Sequence, residues 1–195
     1  KVCQLVKLFK NGEPFKMSKR AGDFISVQDL LNEVDKDPIR FMMLNRSNDV
    51  EIDFDFDKVK EKTKDNPVFY VQYAYARINS LLRTLNTSFV KKIEFNEIDF
   101  KLNEMEEKII RKVFEWPKII ESASRKFDLH KIPFYLYELS TLFHAYWSKG
   151  NEDKKYKFIK NEKIKRKEIL AIISLVAIVI KNGMSILDVS LPKKM

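Results

Sequence analysis

The sequence predicts a mainly helical fold, a bundle over residues 66–195 preceded by a small α+β unit over residues 1–65. Three observations carry that expectation. After Asn66, apolar residues recur every three or four positions through four long stretches, the period of an amphipathic helix. Apolar and acidic residues alternate only in the first third, at Val50–Phe56, which is a strand pattern. Charge divides at the same place: residues 1–65 carry 13 basic and 13 acidic side chains, whereas residues 66–195 carry 24 and 15, the whole of the net +9. Four glycines in 195 residues, against a usual share of about 7%, argue against many tight turns and against a glycine-rich dinucleotide loop.

In the first unit, Asn11-Gly12 between Phe9 and Phe15 predicts a hairpin turn. Lys16 to Gly22 reads as a polar, basic loop. Ser26, with Asp29 three residues on, predicts a capped helix whose apolar positions are Val27, Leu30, Leu31 and Val34. Asp37-Pro38 predicts the start of a second helix with Ile39, Met42 and Met43 on one face. Val50, Ile52, Phe54 and Phe56 then form one side of a half-buried strand. The second unit is predicted to be helical throughout. Asn66-Pro67 opens a helix bearing Val68, Val71, Tyr75, Ile78, Leu82 and Leu85. A second helix carries Leu102 through Ile120 with a kink at Pro117, and Pro133 starts a third. The last runs from about Ile164 to Lys181 and stops at Asn182-Gly183, a C-terminal capping pair.

Composition also excludes several classes of function. With 45% hydrophobic residues, including 15 Phe and 7 Tyr, the chain can bury a sizeable core. The lone Cys3 cannot form an internal disulfide, and two histidines, His130 and His144, cannot build a histidine-rich metal site. The longest apolar run, Ile169–Ile180, is shorter than the roughly 20 residues that span a bilayer and reads as a buried core helix. No membrane association is expected, and a reducing, cytoplasmic setting is. The first residue is Lys1, so the sequence is expected to begin inside a longer gene product.

Three patterns bear on chemistry. Lys16-Met17-Ser18-Lys19-Arg20 places three cations on a short loop, which suits a triphosphate; a solvated basic loop has the same composition. Tyr70, Tyr73 and Arg77 recur at i, i+3 and i+7, opposite Val71 and Ile78. Aromatic faces and guanidinium planes of this kind stack on unpaired RNA bases, or pack against a neighbouring helix. Between Lys149 and Lys167 lie nine basic residues interleaved with Tyr156 and Phe158, a patch that can hold phosphates or simply be solvated. Trp147, at the end of the third helix, reads as core with the capacity to stack on a base.

Lys16-Met17-Ser18-Lys19-Arg20 resembles the KMSKS signature of class I aminoacyl-tRNA synthetases, with Arg20 in place of the final serine. With Ala21-Gly22, Asp37–Leu44, Asp65–Arg77, Pro133–Leu139, Phe143–Trp147 and Asn182–Leu187 in order, the whole chain resembles arginyl-tRNA synthetases of the bacterial type. That resemblance implies a helical anticodon-binding domain at residues 66–195 behind a tail of the catalytic domain at residues 1–65. It implies arginine–tRNA ligase activity in the full-length enzyme, with ATP and Mg2+ as cofactors and tRNA(Arg), ATP and L-arginine as partners, acting as a monomer. Lys19 would be catalytic, Lys16, Ser18 and Lys19 would bind ATP, and Tyr70, Tyr73, Arg77, Trp147 and Met195 would bind tRNA. No HIGH-type His-x-Gly-His segment occurs, so the fragment alone is expected to be inactive and to bind no cofactor. Two alternatives stay open: another class I synthetase such as the cysteinyl enzyme, and a non-enzymatic helical RNA-binding module.

Overall fold

The structure is a computed structural model that describes residues 2–15, 25–63, 65–88, 101–160 and 163–195. Strands β1 (Val6–Lys10) and β2 (Glu13–Pro14) pair antiparallel across Asn11-Gly12, both at positive φ (53° and 75°), the geometry a two-residue hairpin requires. Helix α1 (Val27–Glu33) opens on the predicted capping box between Ser26 and Asp29. Helix α2 (Lys36–Leu44) follows, and β3 (Ile52–Asp55) returns parallel to β1, completing a sheet of order β2-β1-β3. A parallel pair needs a crossover, which α1 and α2 supply.

Three local expectations are corrected here. The strand ends at Asp55, because the Asp55 carboxylate accepts the backbone N–H groups of Asp57 and Lys58 and so starts α3 (Phe56–Lys60). Val50 and Val27, placed on apolar faces, are exposed. Helix α2 begins at Lys36 rather than at Asp37-Pro38, with Asp35 before it. Its Ile39, Met42 and Met43 pack on Leu8, Leu30, Val34, Phe54, Phe56 and Val59, a small core of its own. Phe41, on the opposite face, is fully buried in the large core of the bundle.

That large core lies between α4 (Pro67–Thr84), α5 (Glu104–Phe114), α7 (Lys131–Glu152) and α8 (Lys167–Ile186), with α6 (Trp116–Lys126) alongside α7. Val71, Ile78, Leu136, Leu139, Phe143, Ile173, Val176 and Ile180 are wholly enclosed. The kink expected at Pro117 is a break: Glu115 separates two helices, and a proline without an N–H is harmless in the first turn of the second. Helix α7 starts at Lys131, two residues before Pro133.

Helix α8 corrects the expected stop at Asn182-Gly183. It continues to Ile186, and Gly183 lies inside it, where an added Cβ would sit 2.7 Å from Leu136 Cδ2. This glycine lets α8 approach α7 closely instead of ending the helix. By length and composition α8 could cross a membrane, with a mean hydropathy of 2.2, but 61% of that stretch is buried, and it is the core helix that its apolar run predicts. The second unit is also not helical throughout. A 3-10 turn (Lys154–Tyr156) and a short antiparallel pair, β4 (Ile159–Lys160) and β5 (Lys163–Ile164), join α7 to α8 over the buried ring of Phe158.

Candidate nucleic-acid interface

Helix α4 buries Val71, Ala74, Tyr75 and Ile78, and so turns Tyr70, Tyr73 and Arg77 toward α7. There they meet His144 and Trp147, three residues apart on α7. The His144 ring stacks near-parallel on Tyr73, with centroids 5.4 Å apart at 22°, and packs on Tyr70 at 4.4 Å. Its Nε2 lies 3.2 Å from the Tyr70 carbonyl oxygen and its Nδ1 lies 3.2 Å from Arg77 Nη1. Arg77 Nη2 donates to the Tyr73 hydroxyl at 2.5 Å. The guanidinium carbon is 4.3 Å from the Tyr73 ring centroid and 5.0 Å from that of Trp147, so the cation is held against two aromatic faces. Phe69 extends the series by stacking on Tyr73 at 6.0 Å.

Tyr73, Arg77 and Trp147 of this cluster line one wall of a groove of about 690 Å³ that also takes in Ile159 of β4 and, from the chain's last residues, Lys194 and Met195. The segment after α8 is strapped across α2 and α4. Arg40 Nε donates to the Leu187 carbonyl at 2.9 Å, Gln72 Nε2 to that of Ser190 at 3.0 Å and Arg83 Nη1 to that of Lys193 at 2.9 Å. Lys36 pairs with Asp188 at 2.8 Å, and the Ser190 hydroxyl donates to Asp37. Among the described residues, Arg77, Arg83 and Lys194 carry the charged side chains that line the groove, and no carboxylate side chain lines it. The arrangement offers aromatic faces for stacking, cations for phosphate and an apolar floor.

Burial pushes the His144 imidazole down to about 4, with the Arg77 charge acting in the same sense and the Tyr70 carbonyl opposing it. The ring is therefore neutral near pH 7. Burial raises the Tyr70 phenol above its ordinary value. Among the described residues, no group of three or more His, Cys, Asp or Glu side chains could hold a metal ion.

Residues 71–195 match the family model of the DALR anticodon binding domain. The chain belongs to this family. Over its full length it is 53% identical to an arginine–tRNA ligase from Pelagibacter ubique and 44% identical to one from Rhizobium meliloti, in each case spanning 34% of the relative. Thus this DALR chain covers about a third of the length of the curated relatives it matches. A Campylobacter jejuni chain assigned as an arginyl-tRNA synthetase superposes with a TM-score of 0.81 at 29% identity, over 99% of this chain and 40% of that one. The Thermus thermophilus arginyl-tRNA synthetase shares the fold, with a TM-score of 0.66 at 18% identity, over 96% of this chain and 34% of that one.

Within the DALR domain, the groove brings together Tyr73, Arg77, Trp147 and Met195 of the sequence-derived candidates. Tyr70 does not line it; it lies behind His144 and packs on Tyr137 at 5.2 Å. Lys16, Ser18 and Lys19 fall outside the described residues. His144, Arg83 and Lys194 are the additions. The sequence offered His144 only as part of the Phe143–Trp147 segment, three residues before Trp147. The basic run is more structural than its composition implied. Arg166 pairs with the fully buried Glu106, Lys165 Nζ donates to the Lys155 carbonyl at 2.9 Å, and Phe158 packs on Tyr146 at 4.5 Å rather than facing solvent. Lys154, Lys155, Lys157 and Lys163 are exposed.

Proposed function

We propose that the chain is the tRNA-binding part of an arginine–tRNA ligase and that the groove between α4, α7 and the terminal strap receives unpaired bases of tRNA(Arg). The observation that supports this most directly is the convergence of Tyr73, Arg77, Trp147 and Met195 on one cavity in which, among the described residues, every charged side chain is cationic. A base can stack on Tyr73 or Trp147 while Arg77 and Arg83 meet its edge or phosphate. The relatives' names favour the arginyl reading over a cysteinyl enzyme or a free-standing RNA-binding module. In the full-length protein, ATP-dependent arginine activation would use Lys16, Ser18 and Lys19, with Lys19 stabilising the leaving pyrophosphate. Magnesium would accompany the nucleotide, and the described residues offer no carboxylate cluster for it.

The test separates stacking from charge. Stacking is worth about 1–3 kcal/mol per base and depends little on salt. Tyr73→Ala should weaken tRNA(Arg) binding by that amount, shrink its advantage over a non-cognate tRNA and leave the salt slope unchanged. Replacing Lys154, Lys155 and Lys157 by Gln should weaken all tRNAs alike and flatten the slope by about 0.7–0.9 per lost phosphate contact. A Tyr73→Ala protein with a lowered melting temperature and no selective loss would show a packing residue instead.

A further inference from the structure

The residue that organises this cluster is one the groove does not touch. His144 is 5% exposed and is absent from the cavity lining. A carbonyl oxygen has no hydrogen to give, so the Nε2 facing Tyr70 must carry the ring hydrogen. Nδ1 is then a bare lone pair, and Arg77 Nη1, which can only donate, faces it. The neutral Nε2–H tautomer alone satisfies both contacts, since an imidazolium would aim a second N–H at a guanidinium. Among the described residues, the titratable and charged groups packed around the ring are Arg77, Tyr70 and Tyr73 from α4, with Tyr137 of α7 beyond Tyr70, and no carboxylate is among them. Burial and the Arg77 charge keep the ring neutral.

We propose that His144 is a positioning residue whose Nδ1 lone pair, together with the Tyr73 hydroxyl, fixes the plane of the Arg77 guanidinium so that its remaining N–H groups present a fixed pattern to a nucleobase edge in the groove. The proposal rests on the reading of the groove as an RNA site. A guanidinium on a free side chain rotates, and fixing it on binding costs affinity; two acceptors on separate helices remove that cost beforehand. Tyr73 lies four residues from Arg77 on the same helix, so of the two acceptors it is the one from α7 that, with the Trp147 face, makes the orientation depend on the packing of α4 against α7.

Three replacements separate the ring's contributions. His144→Asn retains an acceptor near Nδ1, His144→Gln retains a donor toward the Tyr70 carbonyl, and His144→Phe retains only the ring. Arg77 guanidinium rotation is read by 15N NMR, and affinity is read with a tRNA(Arg) transcript. Rotation should be slow in the parent and in His144→Asn, and fast in the other two. Affinity should fall about tenfold in His144→Gln and His144→Phe and hold closer to the parent in His144→Asn. In an Arg77→Ala background the three should bind alike. Equal losses in Asn and Gln, rotation indifferent to all three, or differences that persist without Arg77 would overturn the proposal. In the parent protein, which needs no refolding, a 15N shift showing hydrogen on Nδ1 would also overturn it. A parent that binds no tRNA would defeat the RNA reading, and guanidinium rotation would then decide the positioning role alone.

Discussion

Gly183→Ala sets two effects of opposite sign against each other. In a helix interior, alanine is favoured over glycine by about 1 kcal/mol, so propensity alone predicts a more stable protein. The packing predicts the reverse. The new Cβ would lie 2.7, 2.8 and 3.1 Å from Leu136 Cδ2, Cδ1 and Cγ, so the whole isobutyl group must move rather than one methyl. Leu136 is fully enclosed, and overpacking a closed site costs about 1–3 kcal/mol. The upper half of that range outweighs the propensity gain, and a net loss of about 1 kcal/mol is expected, or about 2–4 °C in Tm at this chain length. Urea unfolding of four proteins tests the reasoning: the parent, Gly183→Ala, Leu136→Ala and the double variant. Leu136→Ala should cost about 2–5 kcal/mol through the cavity it leaves. In that background Gly183→Ala should become stabilising, because its methyl enters the vacated space. A Gly183→Ala protein more stable than the parent, or additive single effects, would refute the close-approach account.

Three further outcomes follow from buried polar groups and from the basic loop. Glu106 accepts the Tyr146 hydroxyl at 2.5 Å and pairs with Arg166; Glu106→Ala takes the acceptor from both and should cost about 3 kcal/mol, because Arg166 is only partly buried and keeps its bond to the Lys101 carbonyl, as read from the urea midpoint. His144 binds its proton less readily folded, at about 4, than unfolded, at 6.5. Stability should therefore be full above pH 6.5 and fall by up to about 1.4 kcal/mol per pH unit between 6.5 and 4, and His144→Phe should flatten that slope. In the full-length protein, Lys19→Ala should cost on the order of 3 kcal/mol in arginine-dependent ATP–pyrophosphate exchange and leave tRNA affinity unchanged; parallel losses in both would refute the division of labour.

What the sequence made legible was local. Asn11-Gly12 and the Ser26–Asp29 box involve neighbours within three residues, and both formed as expected. The parallel pairing of β1 with β3 joins Val6 to Ile52, and no local pattern encodes a partner that distant. Gly183 followed an asparagine at the end of a long apolar run, so the pair read as a C-terminal cap. Only the position of Leu136 on another helix reveals it as a contact. The site divides in the same way. Tyr73 and Arg77 were visible as a stripe within two turns of one helix, whereas His144 meets Arg77 across 67 residues and Arg83 meets the Lys193 carbonyl across 110. The apolar period fixes which face of α4 is buried, but the facing stripe on α7 becomes meaningful only once the two helices are docked.

Helix α2 has a consequence for how the molecule opens. Phe41 is enclosed by the bundle, the opposite face sits in the small core, and Lys36, Asp37 and Arg40 all hold the terminal strap. Releasing α2 breaks all three attachments at once, so its amides should exchange with deuterium as slowly as those of α4. Helix α1, which buries only Leu30 and is bordered by Val34, should exchange orders of magnitude faster. The boundary between cooperative unfolding units then lies between α1 and α2, some thirty residues before the point at which the charge and the helical period change.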